Sequence, residues 1–406
     1  MASTQTENPA LSTHPKRWGI LWLLAVAQLM LILDITVVAI ALPHMGDELG
    51  MSRAALTWIV SAYTLTFGGL MLLGGRLADV IGARQIVLAG LVVFTAASLL
   101  TGLAPVSELA IAGRVGQGIG AALLSPSALS WVVRLFDGAE RAKALGIWSA
   151  LGGGGAALGV LVGGVVTGTI GWRWAFFLNV PIGVVLLVAL AVLLPRWTTG
   201  SASRRIDVLG ALLVTAATGT VIWTVITAGE HGAWTATNLL TVLVSVVLYA
   251  AFVLRQRRAA TPLVSMELLT RRPVVVGIFL IFMATALMIA VFFLGSFYFQ
   301  QYLGYNPILT GLLFLPVAIA TMAGANAAGR LIARLGLRAL GATGLLVAAA
   351  GLALAGVWLS PAAAVVGVAI AAAGTGVLFV VASATALGSV APAEAGVASG
   401  VVSTYH

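Results

Sequence analysis

Gly75-Arg76-Leu77-Ala78-Asp79-Val80-Ile81-Gly82-Ala83-Arg84 returns later in the chain as Gly329-Arg330-Leu331-Ile332-Ala333-Arg334-Leu335-Gly336-Leu337-Arg338. Five of the ten positions are identical, at an offset of 254 residues. Each copy joins two long apolar segments, 56–75 to 85–104 and 308–329 to 339–360. The same offset carries Glu140 to Glu394 and Gly146 to Gly400. A matched pair of basic connections in matched surroundings implies a parallel duplication of a helical unit.

Twelve apolar segments surround the two copies: 18–43, 56–75, 85–104, 109–133, 144–170, 174–194, 207–228, 237–254, 274–300, 308–329, 339–360 and 362–391. Crossing a bilayer takes about 20 apolar residues in a helix, and strict alternation, the mark of barrel strands, is missing. Of 406 residues, 61% are hydrophobic and 8% charged, with mean hydropathy +1.10. A soluble or a disordered chain is excluded by that balance. The expected fold class is an all-α polytopic membrane protein with 12 spans.

The net charge of +9 and pI near 10.8 resemble a nucleic-acid binder only until the charges are placed. With the N-terminus inside, 18 of the 21 Lys and Arg fall in the N-tail, the inner connections and the span ends beside them. Arg53 and Arg173 lie outside, and Arg114 lies within a span. This asymmetry predicts both termini cytoplasmic. It explains the basic pI with no nucleic acid. The apolar run after Lys16 and Arg17 is longer than a signal-peptide core and reads as an uncleaved first span.

The repeat sets the domain expectations. Span 1 corresponds to span 9, so spans 7 and 8 are inserted. The segments are a cytoplasmic N-tail (1–17), a six-helix N-terminal bundle (18–195), a linker with two inserted helices (196–256), a cytoplasmic interfacial connector (257–272), a partial C-terminal bundle of four helices (273–400) and a tail (401–406). Counterparts of spans 5 and 6 are expected to be missing, since Val401–His406 is too short to span.

Four motifs then carry a family resemblance: Leu33-Asp34-Ile35-Thr36-Val37-Val38-Ala39-Ile40-Ala41-Leu42-Pro43, the Gly75–Arg84 segment, Ile111-Ala112-Gly113-Arg114-Val115-Gly116-Gln117-Gly118, and Gly155-Ala156-Ala157-Leu158-Gly159-Val160-Leu161-Val162-Gly163-Gly164. In this order the chain resembles the major facilitator superfamily, and within it the fourteen-span drug:proton antiporter family. The run Trp172-Arg173-Trp174-Ala175-Phe176-Phe177-Leu178-Asn179-Val180-Pro181 is similar to that family too. Ala39 stands where Asn is usual, Val80 where a basic residue is usual, and Val160 where Pro is usual. The resemblance implies two helical bundles around a central cavity, and export of a lipophilic, often cationic, compound in exchange for protons.

The residues give this chemistry its candidates. Asp34 is the acid inside a span, and a charged side chain at mid-membrane is costly and functional by default. Burial disfavours its charged form and a nearby cation favours it, so a carboxyl held between the two can load and release a proton. Arg114 is the base deep in a span. At about 1.5 Å per residue, Asp34 lies about 14 Å below Pro43 and Arg114 about 9 Å below Glu108. An ion pair follows if spans 1 and 4 face each other. The plainer readings are an interhelix contact for Asp34 and a snorkelling guanidinium for Arg114.

Gly75, Arg76, Asp79, Gly82 and Arg84 are expected to form a tight connection whose contacts differ between two conformers. Gly155, Gly159, Gly163 and Gly164 give small-xxx-small spacing for close helix contact. Gln28, Tyr63, Gln117, Asn179, Phe297, Tyr298, Gln300, Gln301 and Asn326 are candidates for cavity lining, with interhelix bonding or interfacial belts as the alternative. The stretch Pro262–Leu269 reads as a short interfacial helix. There is no cysteine, and His14, His44, His231 and His406 are scattered, so no metal or cofactor site is expected. No nucleotide loop or acid–base cluster points to an enzyme.

Expected partners are a small-molecule substrate, protons and membrane lipids around a monomer. The Ala-, Val- and Gly-heavy composition hints at a GC-rich bacterial genome, and the expected location is the bacterial cytoplasmic membrane. Two other readings stay open: a truncated, non-transporting membrane protein or assembly partner, and an exporter of a metabolite or self-made antibiotic.

Overall fold

The computed structural model describes residues 14–195, 207–231, 234–259, 262–263, 270–357 and 360–387. Glu394, Gly400, the tail 401–406 and most of the expected interfacial helix at 262–269 lie outside the described residues.

The described residues form helices and no strands. They are α1 (Arg17–Leu49), α2 (Arg53–Leu77), α3 (Ala83–Leu103), α4 (Ser107–Leu135), α5 (Gly138–Thr169), the single turn α6 (Trp174–Phe177), α7 (Asn179–Leu193), α8 (Val208–His231), α9 (Ala236–Arg258), α10 (Arg272–Phe297), α11 (Pro307–Val357) and α12 (Pro361–Leu387). Local chemistry sets several ends. Gly50 closes α1 in the left-handed region, and Ser52 opens α2 by accepting from the Ala55 amide at 3.1 Å. Thr235 and Asn238 make a capping box on α9, whose last turn carries Arg255, Arg257 and Arg258 against the helix dipole.

The repeat is visible in three dimensions. A π-helical turn, Ala78–Gly82, joins α2 to α3, and Gly82 takes φ +120°. At the equivalent place Gly336, at φ +76°, breaks α11 into two limbs. Only glycine takes such a backbone without strain. Helix packing repeats as well. A methyl on Gly90 of α3 would stand 2.8 Å from the Gly120 carbonyl oxygen of α4, and one on Gly344 would stand 3.2 Å from that of Gly374.

Four apolar clusters hold the bundle. One joins Leu24, Leu31, Val87, Trp131 and Leu190 inside the first half. Another joins Leu280, Leu340, Leu378 and Val381 inside the second. Both lie toward the end that carries Gly82 and Gly336. At the opposite end the halves merge. Ala39, Ile40 and Val160 pack with Phe292, Phe299, Phe314 and Val317, while Phe293 and Phe297 join Val37, Leu42 and Phe176. Among the described residues, then, the halves share an apolar core at one end and keep separate cores at the other. The outward faces of α8 and α9 are apolar, with Val225, Leu239, Leu243 and Val247 exposed. Such faces suit hydrocarbon and not water.

Candidate functional site

Asp34, the acid of α1, lies 2% exposed in the interior of the first half. Four other helices converge on it. α4 supplies Arg114 and Gln117, three residues apart and so on one face. α7 supplies Asn179, α3 supplies Ser98, and α2 supplies the Tyr63 ring and the Ile59 carbonyl. Small residues let α4 approach this closely, for a methyl on Gly118 would stand 2.6 Å from the Tyr63 carbonyl oxygen.

Arg114 Nη1 pairs with Asp34 Oδ2 and also donates to Gln117 Oε1 at 2.9 Å. Its Nε donates to the Ile59 carbonyl at 2.9 Å. Its guanidinium lies over the Tyr63 ring, 4.3 Å from the centroid. Asp34 Oδ1 accepts from Gln117 Nε2 at 2.8 Å and from Asn179 Nδ2 at 3.1 Å. Gln117 Nε2 also reaches Ser98 Oγ at 2.8 Å. Arg114 and Gln117 are 1% and 0% exposed. The Tyr63 hydroxyl, buried beside them, has no hydrogen-bond partner among the described residues. A buried ion pair of this kind adds little net stability, yet removing one partner alone costs about 3–5 kcal/mol. The cluster holds one negative charge on Asp34 and gives the Arg114 cation three further contacts, to Gln117, the Ile59 carbonyl and the Tyr63 face.

The glycines of α5 face this region. Methyls on Gly155, Gly159 and Gly163 would crowd Leu29 and Ile32, Thr36, and Val37 of α1. Gly164 turns the other way, to α11, where a methyl would stand 2.7 Å from the Pro307 carbonyl oxygen.

The expected tight connection is less a loop than a helical hinge. Gly75 and Arg76 end α2, Asp79 and Gly82 lie in the π-turn, and Arg84 begins α3. Asp79 approaches Arg134 of α4 at 3.8 Å. Arg84 donates to the carbonyls of Leu194 at 3.1 Å and Ala191 at 2.6 Å, where α7 ends. These contacts stay within the first half.

The cavity-lining candidates separate. Tyr63, Gln117 and Asn179 join the Asp34 cluster. Gln300 instead crosses between halves, donating to the Ile40 carbonyl of α1 at 3.0 Å and to Ser296 Oγ at 2.7 Å. Gln28 is half-buried, and its Oε1 has no partner. Phe297 packs on Phe293 and Tyr298 stacks on Tyr302, at centroid distances of 5.2 and 5.6 Å. Gln301 is exposed, and so is Asn326, which donates to the Met322 carbonyl of its own helix at 2.9 Å. Ser98 and the Ile59 carbonyl escape sequence reasoning. A serine in an apolar run carries no spacing signal, and a backbone carbonyl carries none at all.

The family model described as Major Facilitator Superfamily matches residues 24–406. The puromycin resistance protein pur8 of Streptomyces alboniger is 38% identical over 405 residues, covering 96% of this chain and 79% of its own length. The cephamycin export protein CmcT of Amycolatopsis lactamdurans is 35% identical over 394 residues, covering 94% and 80%. A bacterial homologue of the human lysosomal transporter Spinster, solved inward-facing and occupied, shares the fold with TM-score 0.64 and 16% identity over 96% of this chain and 78% of that one. Duplicated helices, a buried charge cluster and these relatives lead to one assignment: the chain belongs to the Major Facilitator Superfamily, a family of membrane transporters and not of enzymes.

Proposed function

We propose that this chain exports a lipophilic, antibiotic-like compound across a bacterial cytoplasmic membrane, in exchange for protons bound at Asp34. Export of a drug or antibiotic is supported by the relatives, whose names carry puromycin resistance and cephamycin export. Proton exchange is supported by one observation above all: a buried carboxylate held by Arg114, Gln117 and Asn179 from two other helices.

The positive-inside asymmetry puts Gly82 and Gly336 on the cytoplasmic side. The shared apolar core then closes the outer end, and the separate inner cores leave the cytoplasmic end free to admit substrate. Protonation of Asp34 removes the charge that Arg114 holds. The guanidinium keeps Gln117, the Ile59 carbonyl and the Tyr63 face, so the cation stays satisfied while α1 is released. α1 also reaches the second half through Ile40 and Gln300. Proton occupancy at Asp34 is thereby linked to the contact between halves, which is the requirement for alternating access. A cationic or hydrogen-bonding substrate competes with the proton for the same carboxylate.

Asp34→Asn keeps the shape and one acceptor oxygen but cannot ionise. In proteoliposomes with an imposed pH gradient, puromycin and cephamycin transport is expected to fall at least tenfold, with the protein inserted in normal amount. Undiminished gradient-driven transport by this variant removes Asp34 from the mechanism. No transport of any antibiotic by the unmodified protein removes the export reading.

A further inference from the structure

The two sides of α9 carry different chemistry down its length. At about 100° per residue, Asn238, Ser245 and Gln256 share one side, and all three are buried. Each is bonded to α8 or to its entrance: Asn238 to the Thr224 carbonyl, Ser245 to the Ala217 carbonyl and Gln256 to Asp207. The rotation of α9 about its own axis is thereby fixed. The opposite side carries Leu239, Leu243, Val247, Ala250 and Leu254, all exposed. Arg257 and Arg258 continue this stripe at its foot and are exposed too. Their neighbour Arg255 is turned aside, where its Nε donates to Asp207. The Leu263 amide donates to Gln256 at 2.7 Å, which keeps the start of the next connection on the Asp207 side. Among the described residues, neither Arg257 nor Arg258 forms an ion pair with an acid. α9 packs chiefly on α8, and among the described residues no helix covers the stripe.

From Leu243 to Leu254 the stripe advances eleven residues, or about 16 Å. That is half of a hydrocarbon core about 30 Å thick, the depth of one leaflet. The positive-inside asymmetry puts the foot of the stripe at the cytoplasmic surface. An apolar track one leaflet deep, ending in two guanidiniums, matches the chemistry of a glycerophospholipid with an anionic headgroup. Its acyl chains have Leu243, Val247 and Leu254 to lie along. Its phosphate has the forked donors of Arg257 and Arg258, a geometry suited to phosphate oxygens. A zwitterionic lipid offers the same phosphate without the net charge that draws it to arginine.

We infer that the cytoplasmic foot of α9 is a docking site for an anionic phospholipid of the inner leaflet, held at its phosphate by Arg257 and Arg258. The lipid gives α9 a second anchor besides α8. The inference needs the topology read from the charges and does not depend on the export of any compound.

The test counts lipids bound to the full chain by native mass spectrometry, in a neutral detergent, during titration with phosphatidylglycerol or phosphatidylcholine. A cationic side chain at an anionic surface strengthens association roughly fivefold. The unmodified protein is expected to take its first phosphatidylglycerol roughly ten- to thirtyfold more tightly than phosphatidylcholine. Arg257→Gln combined with Arg258→Gln is expected to abolish that preference. Arg334→Gln combined with Arg338→Gln removes the same charge from exposed positions of α11 on the same membrane side, and is expected to keep it. Glycerol phosphate has the headgroup chemistry and no acyl chain, and at equal concentration it is expected to leave the lipid bound. The absence of any preference, or an equal effect of the two arginine pairs, leaves only diffuse charge and overturns the site. Displacement by glycerol phosphate overturns the lipid as occupant in favour of free phosphate esters.

Discussion

Tyr63 carries the Arg114 guanidinium on its ring face while its own hydroxyl meets no partner among the described residues. The two ends of this side chain therefore act in opposite directions. The ring contributes packing and a cation–π contact, worth about 2 kcal/mol when desolvated. The hydroxyl is a buried polar group left unmade, which costs about 1–3 kcal/mol. Tyr63→Phe keeps the first and removes the second, so its thermal midpoint is expected to rise. Tyr63→Ala loses the ring and leaves a void, and is expected to cost about 3–5 kcal/mol. A fall in the midpoint of Tyr63→Phe means that the hydroxyl has a bound partner, such as an internal water. Single residues were legible where they broke a pattern. Asp34 and Arg114 stand out as charges inside apolar runs, and depth counted along each helix put them within about one turn of each other. Gln28 and Asn326 break their runs just as plainly, yet neither joins the cluster. Polarity marks a position in a span without saying which way it points.

At the scale of elements, the pair α8–α9 is held by polar contacts in its interior and by a clasp at its end. Thr224 bonds Thr241 at 2.6 Å, and Asn238 donates to the Thr224 carbonyl at 3.0 Å and to Thr227 Oγ1 at 2.9 Å. At the entrance to α8, Asp207 accepts from the Gly210 amide at 3.0 Å, Arg255 at 3.0 Å and Gln256 at 2.7 Å. Burial alone would push the Asp207 carboxyl up. The Gly210 amide and the Arg255 and Gln256 side chains outweigh it and hold the carboxyl below its ordinary 3.8. A carboxyl with a lowered value in the folded state stabilises that state fully above the ordinary range, and the contribution fades as pH drops through the lowered value. Asp207→Ala is therefore expected to cost about 1–3 kcal/mol at neutral pH. The difference from the unmodified protein should shrink in acid, below about pH 4. Melting curves at neutral and acid pH check this, and a difference independent of pH contradicts it. The repeat offset set these two spans apart as an expected insertion. It did not show their clasp, because Asp207 reads as one more charge at a loop edge. The contact to α2, through Trp58 and Trp223 at 6.1 Å, has no local signal either.

Across the whole molecule, the two halves pack backbone against backbone where α5 meets α11. A methyl on Gly311 would stand 2.5 Å from the Val160 carbonyl oxygen, and one on Gly164 would stand 3.3 Å from the Gly311 Cα. No side chain fits between these backbones while the end stays closed. Gly311→Leu is expected to hold that end apart. A cysteine at Ile308, against Gly168 in the closed seam, should then label several-fold faster with a membrane-impermeant thiol reagent added outside, and transport should fall. Equal labelling in the two backgrounds shows that the seam closes by another route. The two-bundle plan could be read from a ten-residue repeat, because duplication leaves its mark in sequence. The end at which the bundles meet could not, because both ends of each helix carry small and apolar residues.

The bond from Gln300 to the Ile40 carbonyl gives α1 a mechanical part. Six residues separate Asp34 from Ile40, about 9 Å of hydrogen-bonded helix. Over so short a length a helix turns as a rigid rod, so rotation at the acid must displace the carbonyl by a comparable angle. Under the proton exchange proposed at Asp34, the first helix is a lever with a chemical handle at one point and a mechanical load at another, and its stiffness sets how faithfully protonation would be converted into movement.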